Sequence, residues 1–156
     1  MISAPTEDHD NDEFRRVCFP ILDSPEYWQH NLRILPTLVR RALEAIAGAR
    51  PGILIHCSAG RDRTGMIVSM LLANAGVAPE AIADDYAESV RVMAGADSHS
   101  PTHDRQANWN QEEVSVWIEE TQPLVADFAE GIDQHVNQIG LCHADRERLR
   151  TLLLAT

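Results

Sequence analysis

The spacing of apolar positions predicts a chain built mostly of helices. Between Ser24 and Gly48 the apolar side chains recur every three or four residues, the spacing of one buried helical face. Ser24 followed by Pro25 is typical of a helix start. Pro36 falls inside this pattern, so we expect a kink or two abutting helices there.

The second half of the chain repeats this helical spacing. We predict further helices over residues 66–76, 79–90, 111–120, 122–138 and 143–154. Residues 94–110 contain Gly, Ser, Pro, Asn and His, which is typical of a long loop.

Two short segments favour β-strands instead. Residues 16–21 (R-V-C-F-P-I) are rich in strand-forming residues, and residues 53–55 (I-L-I) form an apolar run typical of a central buried strand. Together with the helices they predict an α/β domain. It would have a small, mainly parallel sheet flanked by helices and a helix-rich C-terminal half.

Length and composition indicate one soluble globular domain with an acidic surface. The chain has 156 residues and a formal net charge of −11, and no apolar run approaches a membrane span. Five acids lie within residues 7–13, so we predict a flexible acidic N-terminus over 1–14 and a folded domain over 15–156. The charge argues against nucleic-acid partners and against stable membrane association.

Cysteine content favours a reducing compartment. The three cysteines are Cys18, Cys57 and Cys142, and their wide spacing argues against a disulfide framework or a zinc cluster. The polar, acidic N-terminus does not resemble a secretory signal peptide, so we expect a cytoplasmic location. Export by a route without a signal peptide would leave no trace in the sequence. The composition, rich in Ala and Arg with few Lys, is typical of bacterial proteins.

Candidate chemistry concentrates in residues 53–65 (I-L-I-H-C-S-A-G-R-D-R-T-G). A glycine-containing loop between a buried strand and a helix start can point several backbone N–H groups inward and bind an anion. Arg63 can grip two phosphate oxygens with its planar guanidinium. The same positive environment favours the thiolate of Cys57, which can then attack phosphorus. The Thr64 hydroxyl lies beside this arginine and could donate to the sulfur.

The loop resembles the H-C-x5-R-[ST]-G signature of the protein tyrosine phosphatase superfamily, and its G-[KR]-D-R-T-G ending resembles the bacterial tyrosine and phosphoinositide phosphatase branch. The D-Y-x-x-S pattern from Asp85 to Ser89 is similar to the same branch. The resemblance implies a phosphatase domain over 15–156. Members of the superfamily carry further strands before this region, so we expect a domain that lacks N-terminal strands.

The resemblance also implies roles for named residues. Cys57 would form a cysteinyl-phosphate intermediate, and His56 would order the loop. The substrate phosphate would be bound by the segment Ser58, Ala59, Gly60, Arg61, Asp62 and Arg63. No metal or organic cofactor is implied.

A general acid must protonate the leaving oxygen, and two candidates stay open. Asp23 ends a P-x-x-D pattern that resembles the usual acid of the superfamily. Asp62 lies inside the loop and either braces it or serves as the acid. Cys18 is either a buried thiol or a partner for a protective disulfide with Cys57.

These observations predict a cysteine-dependent phosphomonoester hydrolase acting on a phosphorylated protein or a phosphoinositide, with phosphotyrosine favoured by the net charge. The alternative is a phosphate-binding or partner-dependent module without turnover. Another cysteine enzyme, such as a rhodanese, is disfavoured because its loop lacks the Thr64-Gly65 pair. An exposed sheet edge would favour pairing with a second copy.

Overall fold

The computed structural model describes residues 1–94 and 105–154. In these two ranges the chain forms eight α-helices: α1 (Asp12–Cys18), α2 (Tyr27–Ile34), α3 (Pro36–Ala47), α4 (Asp62–Asn74), α5 (Pro79–Met93), α6 (Gln111–Glu130), α7 (Ile132–Gln138) and α8 (His143–Leu154). Short 3₁₀ turns cover Phe19–Ile21 and Arg105–Asn108. The predicted sheet is wrong, because these described ranges contain no β-strand.

The core lies where α2, α4, α5 and α6 meet. Trp28 of α2 is fully buried, and its ring makes edge contacts with Tyr86 of α5 and Phe128 of α6, with centroids 5.3 and 5.2 Å apart. Aromatic pairs in this arrangement add to the free energy gained from burying apolar surface. This aromatic cluster supports the first turn of α4, which follows the candidate loop.

The predicted strand over residues 16–21 is a helix followed by a 3₁₀ turn. The Asn11 side chain accepts the N–H of Phe14 at 2.9 Å, and acids fill the first turn of α1. Phe14 and Cys18, four residues apart, are both fully buried and share one helical face. Capping and burial at helical spacing therefore outweigh the strand preference of the individual residues.

The predicted central strand over residues 53–55 has no regular secondary structure. Leu54 is 84% exposed and Ile53 39% exposed, so two of the three apolar side chains face solvent. A strand is stabilised by hydrogen bonds to a neighbour, and the described part of the chain offers no second strand. An apolar run alone does not establish a sheet.

The helix predictions are confirmed elsewhere, with two changes: the helix predicted over residues 122–138 is divided at Gly131, where α6 ends and α7 begins, and the break predicted before it is missing. The break at Pro36 separates α2 from α3, and Gly76, with φ +88°, follows the end of α4. The break predicted near residue 121 is absent, because α6 continues through Pro123. Val125 and Phe128 extend the buried face that begins at Val114, which favours one long helix over two.

Residues 1–11 form no helix and run along α3 and the candidate loop. Thr6 is buried, and His9 stacks on Phe14 and meets the edge of Phe19. The predicted mobility of residues 1–14 stays a prediction. Most of the predicted loop over residues 94–110 lies outside the described residues. Among the described helices, none combines the length and hydropathy needed to cross a bilayer.

Candidate active site

The candidate loop bends over residues 58–61, and α4 begins directly after it at Asp62. Gly60 has φ +77°, a backbone conformation that glycine adopts at little cost. This turn directs the Gly60 N–H toward Cys57, and it donates to the Cys57 Sγ at 3.2 Å. A backbone donor therefore points at the sulfur from the N-terminal end of a helix, where anions are stabilised.

Gly65 allows the first turn of α4 to approach the aromatic cluster. A Cβ at this position would lie 2.9 Å from the Tyr86 ring and 3.3 Å from the Trp28 ring. Its N–H donates to the Arg61 carbonyl at 2.8 Å, which closes the first helical turn. The lack of a side chain at Gly65 in the R-T-G motif thus lets the loop lie close to the core.

Cys57 opens into a pocket of ≈ 500 Å³. Arg63 and Thr64 line it from α4, and Glu7 and His9 line it from the N-terminal segment. The thiol is half-buried, and the Arg63 side chain is 33% exposed. The pocket therefore brings a thiol and a guanidinium to one water-accessible space.

Arg63 has an acidic neighbour inside this pocket. Its Nε lies 3.7 Å from the Glu7 Oε2, and the His9 Nε2 lies 2.9 Å from the same oxygen. The Glu7 side chain is only 5% exposed. This contact is not evident in the sequence, because Glu7 stands among several exposed acids of the N-terminus.

Arg61 faces the opposite way and is buried. Its Nε and Nη2 donate to the two Asp62 carboxylate oxygens at 3.0 and 3.1 Å, and its Nη1 donates to the Gln106 Oε1 at 2.9 Å. The Gln106 Nε2 in turn donates to the Asp23 carbonyl at 2.8 Å. We call Asp23, Arg61, Asp62 and Gln106 the buried polar cluster.

Both candidate acids belong to the buried polar cluster. Asp23 is 6% exposed, and the Asp62 side chain is 18% exposed. Neither residue is among those that line the Cys57 pocket as the structure describes it. The choice between them as general acid stays a prediction, whereas the pairing with Arg61 gives Asp62 a direct bracing contact.

Two buried tyrosines have pKa values that are raised in part by charged residues on either side of the loop. Burial raises the pKa of Tyr86 well above its usual range, and the Asp62 carboxylate raises it further. Burial likewise raises the pKa of Tyr27, with the Glu7 carboxylate adding to the effect. Tyr86 thus lies beside the buried polar cluster, and Tyr27 lies beside the Glu7 wall of the pocket.

The remaining predicted residues occupy the loop itself. The His56 Nδ1 lies 3.1 Å from the Cys57 carbonyl, and Ser58 is exposed. Ala59 is half-buried. The Thr64 hydroxyl is buried and lacks a hydrogen-bond partner in the described residues, so it can turn toward a neighbouring acceptor. Their roles stay predictions.

Sequence reasoning missed Glu7 and Gln106. Gln106 lies in a polar stretch that predicts only a loop, yet it is 1% exposed and joins Asp23 to Arg61. No local pattern marks such a residue, because its partners are 45 and 83 positions away. For Glu7 the only available signal was its place in the acidic N-terminus.

Comparison with known proteins agrees with the loop geometry. A model described as "Tyrosine phosphatase family" matches residues 20–155. A tyrosine-protein phosphatase of Nostoc commune is 40% identical over 57 residues, which is 36% of this chain and 19% of that protein. The triple specificity protein phosphatase PtpB of Mycobacterium tuberculosis is 39% identical over 51 residues, 33% of this chain and 18% of that protein.

The matched segments thus span about a fifth of the length of these two bacterial relatives. No solved structure matches the chain significantly. The family match covers most of the chain and includes both the loop and the helices that support it. The chain therefore belongs to the tyrosine phosphatase family.

Proposed function

We propose that this chain hydrolyses phosphomonoesters, with phosphotyrosine in proteins as the favoured substrate. One observation carries the proposal most directly. The Cys57 sulfur receives a backbone N–H at the start of α4 and shares a pocket with Arg63. Family membership and the names of both relatives support a phosphatase reaction.

In the first step the Cys57 thiolate attacks phosphorus while the bond from phosphorus to the leaving oxygen breaks. Arg63 and the loop N–H groups stabilise the charge on the other three oxygens. The leaving oxygen takes a proton from a carboxylic acid, for which Asp23 is our first candidate and Asp62 our second. The product of this step is a cysteinyl-phosphate.

In the second step water attacks the cysteinyl-phosphate, and the bond between phosphorus and sulfur breaks. The carboxylate that gave up its proton receives one from the water. The Thr64 hydroxyl, which lacks a partner in the described residues, would donate to the departing sulfur. Inorganic phosphate then leaves and the thiolate is restored.

Hydrolysis of para-nitrophenyl phosphate between about pH 5 and pH 8, with and without vanadate, tests this proposal. We expect vanadate-sensitive turnover from the wild type. Cys57→Ser should abolish turnover but keep tungstate binding, because serine is a far weaker nucleophile in the same cradle. A serine variant that still turns over the ester would sink the assignment of Cys57.

The substrate range separates two finer possibilities. The pocket wall formed by Glu7 and the net charge of −11 both disfavour anionic membrane surfaces, so we favour phosphotyrosine peptides over phosphoinositides. Phosphate release should be measured from a phosphotyrosine peptide, a phosphoserine peptide and a short-chain phosphoinositide. Faster release from the lipid would reverse this preference.

A second candidate function is phosphate binding without turnover. It is favoured by the burial of Asp23 and Asp62, neither of which lines the Cys57 pocket as the structure describes it. A melting temperature that rises with tungstate, in a protein without vanadate-sensitive turnover, would establish it.

Self-association and location remain proposals of ours. The pairing surface would be the exposed Ile53 and Leu54 rather than a sheet edge, and multi-angle light scattering at two concentrations would detect a dimer. The reducing, cytoplasmic location rests on the cysteine pattern, and fractionation of the source cells would test it.

A further inference from the structure

Glu7 differs from the other acids of the N-terminus because its carboxylate is buried in the pocket wall. Its side chain is 5% exposed, whereas the neighbouring Asp8 and Asp10 are exposed. Burying a carboxylate is costly unless positive or hydrogen-bonding groups compensate. Here the compensating groups include Arg63 and His9.

The contact with Arg63 involves the part of the side chain that the proposed reaction needs. The Glu7 Oε2 lies 3.7 Å from the Arg63 Nε. A guanidinium binds a phosphate through two parallel N–H groups, and the Nε edge offers one such pair. A carboxylate there interacts with the same positive charge that an incoming phosphate would use.

We propose that Glu7 is an internal anion that sets the affinity of the Cys57 pocket for phosphate and selects against weakly bound anions. This inference rests on the proposed function, because it concerns the same pocket. A substrate phosphate must outcompete the Glu7 carboxylate for Arg63. The bound phosphate must also tolerate the negative charge of the Glu7 carboxylate, which stays in the pocket wall.

The surroundings of Glu7 allow this exchange without unfolding the segment. When a phosphate takes Arg63, the Glu7 Oε2 keeps the His9 Nε2 at 2.9 Å. His9 is itself held by stacking on Phe14 and by the edge of Phe19. Thr6 is buried next to Glu7, so the backbone stays in place while the carboxylate changes its partner.

The test compares Glu7→Gln with Asp8→Asn. Both substitutions remove one negative charge and keep the shape of the side chain, but only Glu7 lines the pocket. Asp8 accepts the Asp10 N–H, and asparagine keeps that acceptor. Tungstate affinity should be measured by isothermal titration calorimetry, together with KM for para-nitrophenyl phosphate and the melting temperature of each variant.

We expect Glu7→Gln to lower both the tungstate dissociation constant and KM by roughly three- to tenfold, the range for a partly exposed ion pair strengthened by burial of one partner. Asp8→Asn should leave both near the wild-type values. If Glu7→Gln binds tungstate with wild-type affinity, or more weakly, the inference is wrong and Glu7 instead supports Arg63.

The tungstate titration separates this inference from the proposed reaction. Tighter tungstate binding by Glu7→Gln in a protein without turnover supports the inference and contradicts the hydrolase. Vanadate-sensitive turnover with identical tungstate affinities in the wild type, Glu7→Gln and Asp8→Asn supports the hydrolase and contradicts the inference. Absence of tungstate binding in the wild type and in Glu7→Gln would overturn both.

Discussion

Arg61 and Arg63 stand two positions apart in the same motif, yet the structure gives them opposite surroundings. The Arg61 side chain is 3% exposed and is held by Asp62 and Gln106. The Arg63 side chain is 33% exposed and lines the pocket with Cys57. One arginine joins the loop to the interior, and the other faces the space that a substrate would enter.

The geometry of a helix start explains the difference. Arg63 lies in the first turn of α4 and Arg61 directly precedes it, and side chains two positions apart at a helix do not face each other. Arg61 is next to α5 and the turn that carries Gln106, whereas Arg63 faces the N-terminal segment. In this motif the direction of a side chain, rather than its charge, determines whether an arginine contacts the interior or the pocket.

The strongest test of the contrast between Arg61 and Arg63 is the substitution Arg63→Ala. We expect kcat/KM for para-nitrophenyl phosphate to fall by about 10³-fold, because the charge of the transferring phosphoryl group loses its main cation. The melting temperature should fall only modestly, because the ion pair with the buried Glu7 is long and Glu7 keeps its contact with His9. Activity within tenfold of wild type would contradict the role of Arg63.

Arg61→Ala should show the reverse pattern, a loss of stability. Removing the guanidinium leaves Asp62 as a mostly buried carboxylate without its bidentate partner, and we expect a cost of about 3 kcal/mol in urea unfolding. The control is Arg91→Ala, which breaks the exposed pair with Glu88 and should cost less than about 1 kcal/mol. Equal costs for the two variants would show that burial of Arg61 matters little.

Gly65→Ala tests the support beneath both arginines. Alanine favours a helix more than glycine, but the new Cβ would lie 2.9 Å from the Tyr86 ring and force the packing apart. We expect a net loss of about 1 to 2 kcal/mol in the free energy of unfolding. At Gly48 a Cβ meets only a carbonyl at 3.5 Å, so Gly48→Ala should be close to neutral. A stabilised Gly65→Ala variant would show that α4 can shift freely.

The last expected effect appears only at alkaline pH and concerns the interior beneath the N-terminal segment. Burial raises the pKa of Cys18 to about 11 from an ordinary 9.0. The folded state keeps a proton that the unfolded state releases, so this stabilisation is complete below about pH 9. It decreases by at most about 1.4 kcal/mol per pH unit as the pH rises toward the folded-state pKa.

Urea unfolding at a series of pH values between these limits checks the Cys18 prediction. Cys18→Ala should flatten the part of the decrease that begins near the ordinary thiol pKa, whereas Cys142→Ala should retain it because Cys142 is exposed. The buried Tyr27 and Tyr86 add their own decrease at higher pH in all three proteins. Identical curves for both alanine variants would rule out Cys18 as the group responsible.

Local signals predicted those parts of the fold that local forces determine. The break at Pro36, the start of α5 at Pro79 and the glycine at the end of α4 each depend on neighbouring residues. The strand predicted at 16–21 failed because Asn11 caps a helix whose buried face was not distinguished from a strand. The strand predicted at 53–55 failed because an apolar run does not reveal whether a pairing partner exists.

The candidate site shows the same division. The loop, with Cys57 and Arg63 facing one pocket, was predicted because the motif is contiguous from His56 to Gly65. Glu7 and Gln106 were not, since each meets the loop only after the chain has folded. Their contacts depend on long-range packing, which no spacing rule for neighbouring residues describes.

The stretch 53–55 enters the loop without regular secondary structure, whereas the other end of the loop continues into α4. Of the two ends of the loop, the end at α4 is thus continuous with a helix and the end at residues 53–55 is not. In native-state hydrogen exchange the amides of Ile53 and Leu54 should equilibrate with deuterated solvent long before those of the buried Met66 and Met70. Cys57 would then lie between a segment whose amides exchange quickly and a helix whose amides exchange slowly.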